Sequence, residues 1–203
     1  MKEDLKRLVD ILCEHQFVAR YFETSQEAKQ AVLKQIPTGA SVGIGGSATV
    51  YQIGLVEDLE DKDCKIYSNW AAPAEDSARN LAAAQSADVY LLSCNAIVKD
   101  GRLVNTDGMG NRVSASIFGV PKVIYIVGRN KLVENLDEAF RRIQEVAAPQ
   151  NAKRLGLKTP CAITGVCTDC NTPHRMCRVT TIHERPTRNT QTHVYLVDED
   201  LGF

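Results

Sequence analysis

Four of the seven cysteines lie in the stretch "CAITGVCTDCNTPHRMC", which spans residues 161–177. They are Cys161, Cys167, Cys170 and Cys177, in the pattern C-x5-C-x2-C-x6-C. A C-x2-C pair can present two thiolates from one turn, and four thiolates suit either tetrahedral zinc or a 4Fe–4S cluster. Disulfides are disfavoured by the odd number of cysteines and by the reducing compartment that we expect for this chain. The pattern therefore predicts a metal centre and leaves zinc and iron–sulfur open.

A glycine-rich loop, "GIGGSAT" at residues 43–49, joins a predicted strand to a predicted helix. Gly45, Gly46 and Ser47 are candidate ligand-binding residues, because glycines admit a ligand close to the backbone and exposed N–H groups bind anions. The loop formally satisfies the G-x-G-x-x-A dinucleotide pattern, which also requires an acidic residue after the next strand. The sequence there reads "SNW", which excludes a standard NAD site. A tight turn without a ligand is the alternative interpretation.

A second polar loop, "NTDGMGNR" at residues 105–112, combines carboxylate, amide and guanidinium groups. Asn105, Asp107, Asn111 and Arg112 are candidate ligand-binding residues, because arginine pairs bidentately with carboxylate or phosphate. Asp107 is also a candidate catalytic base if it is partly desolvated. The alternative is a turn in which Asp107 caps a helix and Arg112 is a surface charge. Lys131, in "GRNKLV", is a weaker candidate that we expect on the solvated surface.

Elements that position these loops follow from the periodicity of apolar residues. Helices are predicted at 3–15, 24–33, 48–59, 74–87, 111–119 and 136–147, and strands at 17–22, 41–45, 65–70, 88–94, 122–128 and 192–199. A hairpin is predicted at 96–105 around the Asp100-Gly101 turn. Strands that alternate with helices indicate an α/β fold, a three-layer Rossmann-like architecture with a mainly parallel sheet.

Length and charge limit the classes of function. The 203 residues with a net charge of −1 predict one domain over 1–203, with 161–185 as its cysteine-rich metal-binding segment. The near-neutral charge gives no reason to expect nucleic acid as a partner. Apolar runs are far shorter than the roughly 20 residues of a membrane span, so no membrane span is expected. The charged N-terminus is unlike a signal peptide, and we expect a cytoplasmic protein.

Nearly the whole chain resembles the lactate utilization (LUD) domain family, in its short single-domain branch with a C-terminal four-cysteine block. The matching stretches are "SVGIGGSATVYQIGL" (41–55), "NAIVKDGRLVNTDGMGNRVSASIFG" (95–119), "KVIYIVGRNKLV" (122–133), "AAPQNAKRL" (147–155), the cysteine block (161–177) and "VYLVDEDLGF" (194–203). The resemblance implies the fold of the ribose-5-phosphate isomerase and CoA transferase superfamily. In that superfamily the glycine loop contacts phosphate or CoA, which corresponds here to Gly45, Gly46 and Ser47.

The resemblance also implies redox function, which favours a 4Fe–4S cluster over zinc. Our leading hypothesis is a metal-binding protein of lactate or related organic-acid oxidation. It would bind a small anionic organic or phosphorylated ligand and work beside iron–sulfur redox partner subunits. One alternative is an enzyme that acts on a small phosphorylated or CoA-linked substrate and carries a structural zinc. Another is a non-catalytic subunit of a redox complex.

Overall fold

The computed structural model describes residues 1–70 and 74–203, and its centre is a six-stranded sheet. The strands of the chain are β1 (Val18–Phe22), β2 (Ser41–Ile44), β3 (Lys65–Ser68), β4 (Val89–Leu92), β5 (Ala96–Val98), β6 (Leu103–Asp107), β7 (Lys122–Gly128), β8 (Leu132–Val133), β9 (Val179–His183) and β10 (Gln191–Val197). The central sheet has the order β1-β10-β7-β4-β2-β3. All of its neighbouring strands are parallel. The parallel sheet confirms the predicted α/β fold class.

Most of the predicted helices are present near their predicted positions, and the two helices within residues 148–164 were not predicted. They are α1 (Lys2–Glu14), α2 (Ser25–Gln35), α3 (Ala48–Gln52), α4 (Leu55–Glu60), α5 (Ser77–Ala84), α6 (Asn111–Ile117), α7 (Leu136–Arg142), α8 (Ala148–Arg154) and α9 (Pro160–Thr164). Thr24 and Glu27 form the capping box of α2, as expected from the sequence. The single helix predicted at 48–59 is wrong. Gly54 adopts a left-handed conformation with φ of +66°, and this breaks the segment into α3 and α4.

Two hydrophobic cores lie on opposite faces of the central sheet. Because side chains alternate along a strand, β4 sends Tyr90 and Leu92 to one face and Val89 and Leu91 to the other. The first face packs against the α1 leucines and the second against α2, α3 and α4. Both faces are thus covered by helices, which gives the three layers and explains why β4 is apolar at every position.

A π-helical segment, Ile143–Ala147, connects α7 to α8 into one continuous helix. Pro149 lies at the start of α8 and has no N–H group to donate to the preceding turn. A local π-helix is a common accommodation of such a defect, and it often lies at functional sites. Here the segment faces both cavities described below.

A second, four-stranded sheet has the order β8-β5-β6-β9 and lies at one end of the molecule. The hairpin predicted at 96–105 is confirmed, since β5 and β6 pair antiparallel. Strand β9 also pairs antiparallel with β6, with Val179 opposite Asp107. This pairing anchors the end of the cysteine segment beside the polar loop. Among the helices that the structure describes, none is long and apolar enough to cross a membrane.

Candidate functional site

A cavity of about 540 Å³ opens at the carboxyl ends of β2, β4 and β7. Ligands of open α/β sheets bind at this edge, where successive connections leave the sheet on opposite sides. Six of the seven predicted ligand-binding residues line the cavity: Gly45, Gly46, Ser47, Asp107, Asn111 and Arg112. The seventh, Asn105, is buried behind it. The structure thus brings the two predicted loops to one place, and ligand binding by these residues stays a prediction.

The glycine loop approaches the polar loop as closely as its backbone permits. A Cβ atom on Gly45 would lie 2.8 Å from Cγ of Arg112 and 2.9 Å from the Tyr90 hydroxyl. Gly46 has φ of +65° and open space beside it. The Ser47 side chain accepts a hydrogen bond from the Val50 N–H and caps α3. The first glycine is therefore required for packing against Arg112, whereas the second leaves backbone exposed to the cavity.

Arg112 has a protein acceptor for every N–H group of its guanidinium. Nε donates to Asp107 Oδ1 at 2.9 Å and Nη1 donates to the Ser93 carbonyl at 2.9 Å. Nη1 also donates to Asn105 Oδ1, and Nη2 donates to Asn95 Oδ1 and to the Thr106 carbonyl. All five donors are thus directed into the protein. We assign Arg112 to holding the β4–β5 connection against the polar loop.

Both carboxylate oxygens of Asp107 also accept hydrogen bonds from protein groups. Its Oδ1 accepts from Arg112 and its Oδ2 accepts the Val113 N–H of α6 at 3.0 Å. Only 8% of the Asp107 side chain is exposed. These contacts match the helix-capping alternative, and the candidate role of Asp107 as a catalytic base stays a prediction.

Lys131 is the residue of this site that sequence reasoning misplaced, because it was expected on the solvated surface. Only 3% of it is exposed, and it lines the cavity. Its Nζ donates to Ser93 Oγ at 2.8 Å and to Thr49 Oγ1 at 3.1 Å. Burial, together with the nearby cations Arg142 and Arg112 and opposed by Cys94, lowers the pKa of Lys131 to about 7.

The opposite part of the wall is aromatic. Trp70 stacks on Tyr51 with ring centroids 4.3 Å apart, and the Arg154 guanidinium lies 4.0 Å from the Trp70 centroid. Trp70 and Arg154 both line the cavity. Burial lowers the pKa of Arg154. Trp70 therefore forms part of the lining together with the cation that it contacts.

The four clustered cysteines line a second cavity of about 140 Å³. Arg175 organises the loop that carries them, since its Nη1 donates to the Cys170 carbonyl and its Nε donates to the Cys177 carbonyl at 2.8 Å. Burial raises the pKa of the Cys177 thiol, Arg175 lowers it, and the other three thiols raise it. The structure thus brings all four predicted ligands around one cavity.

The two cavities share a wall. Its members belong to both linings and are Thr106, Ile143, Ala148, Arg175, Met176 and Cys177. Ile143 belongs to the π-helical segment and Ala148 begins α8, so the helix irregularity forms part of this wall. A group bound by the cysteines would therefore lie one side chain away from a ligand in the larger cavity.

The four cysteines do not form a ready metal site. Within residues 1–70 and 74–203, no three or more His, Cys, Asp and Glu side chains lie close enough together to hold a metal ion. Metal binding by Cys161, Cys167, Cys170 and Cys177 stays a prediction.

Fold and site together define an α/β protein with a ligand cavity at the carboxyl edge of a parallel sheet and a four-thiol cavity beside it. A sequence model of the LUD domain matches residues 5–197. The chain belongs to the LUD domain family, whose name associates it with lactate utilization. The match does not test the assignment to a four-cysteine branch.

A solved structure supports the fold independently. It is the crystal structure of a DUF162 family protein from Deinococcus radiodurans, to which this chain is 15% identical with a TM-score of 0.56. The alignment covers 96% of each chain. At this identity the similarity concerns the fold alone. A comparison with curated proteins finds no match.

Proposed function

We propose that this LUD domain protein binds a small organic anion in the larger cavity and a 4Fe–4S cluster between Cys161, Cys167, Cys170 and Cys177. Its function would be electron transfer in the oxidation of lactate or a related organic acid. The observation that carries the proposal is the wall shared by the two cavities. If the anion and the cluster were bound for unrelated purposes, the two cavities would not need to be adjacent. Electron transfer between the anion and the cluster requires that they lie close together.

The association of the family with lactate utilization favours a cluster over zinc, because oxidation of an organic acid requires a redox centre and zinc has no redox chemistry. A 4Fe–4S cluster is bound by four cysteines, each through a different iron, and tetrahedral zinc is also bound by four ligands. Four thiols line the cavity of about 140 Å³, which is the number of sulfurs that either centre requires.

The residues around the thiols would keep such a centre in place. Arg175 holds the carbonyls on either side of the loop, and its Nη1 also pairs with Asp169 at 2.7 Å. Thr159 Oγ1 lies 3.4 Å from the Cys161 sulfur, within hydrogen-bond distance. When bound, the cluster supplies one-electron transfer. Oxidation of a 2-hydroxy acid to a 2-oxo acid releases two electrons and two protons, so a redox partner subunit must accept electrons in succession.

A second candidate is an enzyme with a structural zinc that acts on a phosphorylated or CoA-linked substrate. The observation that favours it is the size of the larger cavity, about 540 Å³. This lies within the range of sites for drug-sized ligands. A three-carbon acid would fill only a small part of it, and the aromatic wall around Trp70 would remain uncovered.

Metal analysis separates the two candidates. The protein is reconstituted without oxygen, once with iron and sulfide and once with zinc, in the wild type and in the variants Cys167→Ser and Cys64→Ser. Cys64 is the control, because it is half-buried beside β3 and belongs to neither cavity. We expect about four irons and a brown chromophore in the wild type and in Cys64→Ser, and loss of both in Cys167→Ser. A colourless protein with one cysteine-dependent zinc supports the second candidate instead.

A further inference from the structure

The lining of the larger cavity includes a buried lysine, Lys131. It is 97% covered by protein, and no Asp or Glu carboxylate of residues 1–70 and 74–203 lies within 4.0 Å of its Nζ. Buried lysines normally have a charged partner or become neutral. An anion in the cavity would supply the charged partner and favour the protonated form of Lys131.

The surroundings of Lys131 leave one of its donors for a ligand. An ammonium group has three N–H donors, and two of them are directed at the hydroxyls of Thr49 and Ser93. The Thr49 hydroxyl is held in turn, because it donates to the Leu201 carbonyl at 3.3 Å. The two hydroxyls therefore fix the position of Nζ, and its third N–H group remains for the cavity.

Titratable side chains from three other segments lie near Nζ of Lys131. They are Cys94 after β4, Arg112 on α6 and Arg142 on α7. Arg112 cannot serve the ligand, because its five donors have protein acceptors. Burial raises the pKa of Cys94, so that its thiol stays protonated near neutral pH. Because Asp107 offsets the charge of Arg112, the positive charge near this part of the cavity comes from Lys131 and Arg142, and Lys131 has a donor to offer.

We propose that Lys131 binds one carboxylate of a small organic acid in the larger cavity, with Thr49 and Ser93 holding its ammonium group in position. A monoanionic carboxylate matches the single uncompensated charge better than a dianionic phosphate does. The proposal rests on the part of the proposed function that concerns binding of an organic anion. It does not depend on whether the four cysteines bind a metal centre.

Binding of the carboxylate takes up a proton at alkaline pH. Burial and the two arginines lower the pKa of free Lys131 to about 7, and an anion in contact with the ammonium raises it. The affinity should be constant below pH 6 and weaken about tenfold per pH unit above pH 7, since only the protonated lysine binds. A lysine of ordinary pKa would show no such dependence below pH 9.

Calorimetric titration with pyruvate tests the proposal. Titrations at pH 6.5 and 8.5, in buffers of different ionisation enthalpy, report affinity and proton uptake together. The variant Lys131→Met keeps the length of the side chain and removes the charge, and Lys131→Gln is a second variant in case the first fails to fold. The control is Lys62→Met, because Lys62 donates to the Leu33 and Ile36 carbonyls outside the cavity.

We expect wild type and Lys62→Met to bind pyruvate with proton uptake at pH 8.5, and both Lys131 variants to bind at least tenfold more weakly. Equal affinity in a folded Lys131 variant, pH-independent binding, or no binding by the wild type would overturn the assignment. Tighter binding of inorganic phosphate than of pyruvate would overturn the choice of carboxylate. Repeating the titration in Cys167→Ser separates the two proposals, because pyruvate binding should survive there whether or not the wild type holds a cluster.

Discussion

Replacing Arg112 should destabilise the protein rather than merely weaken ligand binding. Only 13% of its side chain is exposed, and it pairs with the buried carboxylate of Asp107 at 2.7 Å. The change Arg112→Ala leaves that carboxylate buried without its partner. Breaking a buried ion pair in this way costs about 3–5 kcal/mol. For a chain of this length the cost corresponds to a fall in melting temperature of about 6–20 °C.

Equilibrium unfolding in urea, with thermal unfolding as a second probe, measures this effect. Arg79→Ala is the matched control, because Arg79 is 79% exposed and pairs with Asp76 one turn away. The control should change the free energy of unfolding by less than about 0.5 kcal/mol. If Arg112→Ala stays within about 1 kcal/mol of the wild type and loses affinity for pyruvate, then Arg112 is a ligand-binding residue and our assignment is wrong.

Three further predictions concern packing, pH and capping. Gly45→Ala should cost about 1–3 kcal/mol in urea unfolding, because its Cβ would lie 2.8 Å from Arg112 Cγ; an unchanged midpoint would contradict the close packing. Burial, aided by Lys122, lowers the pKa of His193 to about 4, whereas the unfolded state titrates near pH 6.5. Between these two pKa values the unfolded chain binds a proton that the folded chain does not. The contribution of His193 to the free energy of unfolding should therefore be complete above pH 6.5 and be lost as the pH falls towards 4. The variant His193→Asn should lose less free energy of unfolding between pH 7 and 5 than the wild type; an equal loss would contradict the assignment. Thr24→Ala should cost about 1 kcal/mol, since its Oγ1 caps α2; no loss would refute the capping box.

The sequence was sufficient for the central sheet. Runs such as "VYLL" are apolar at every position because β4 is covered on both faces. The meeting of the two loops does not follow from the parallel sheet, because β6 belongs to the second sheet and pairs antiparallel with β5. The cysteine spacing predicted a metal centre; the structure places the four thiols on the lining of one cavity, and metal binding stays a prediction.

The parts that could not be predicted depend on contacts distant in the sequence. Strand β9 pairs with β6 across more than 70 residues, since Thr180 Oγ1 and Thr106 Oγ1 are 74 positions apart, and no local pattern specifies such pairing. Lys131 stands in a polar stretch that is typical of surface. Its burial arises because the last residues fold over it, with Gly202 close to its Nζ. The same holds for Arg112, whose acceptors lie in the β4–β5 connection and in β6.

Only part of the second sheet was predicted, because the hairpin of β5 and β6 was expected and the strands β8 and β9 were not. Strand β8 has only two residues, which is too short for a periodic signal. The π-helical segment before Pro149 was also beyond sequence reasoning, because a proline near the end of a predicted helix indicates an end as readily as a bulge.

The claim that the two cavities form one site is tested most directly by the electron paramagnetic resonance spectrum of the reconstituted, reduced protein. The spectrum is recorded without oxygen, before and after saturation with pyruvate, in the wild type and in Lys131→Met. We expect the signal of a reduced 4Fe–4S cluster that shifts when pyruvate binds to the wild type and stays unchanged in the variant. Absence of a cluster signal, or a wild-type signal that pyruvate leaves unaltered although calorimetry shows it bound, would contradict the account.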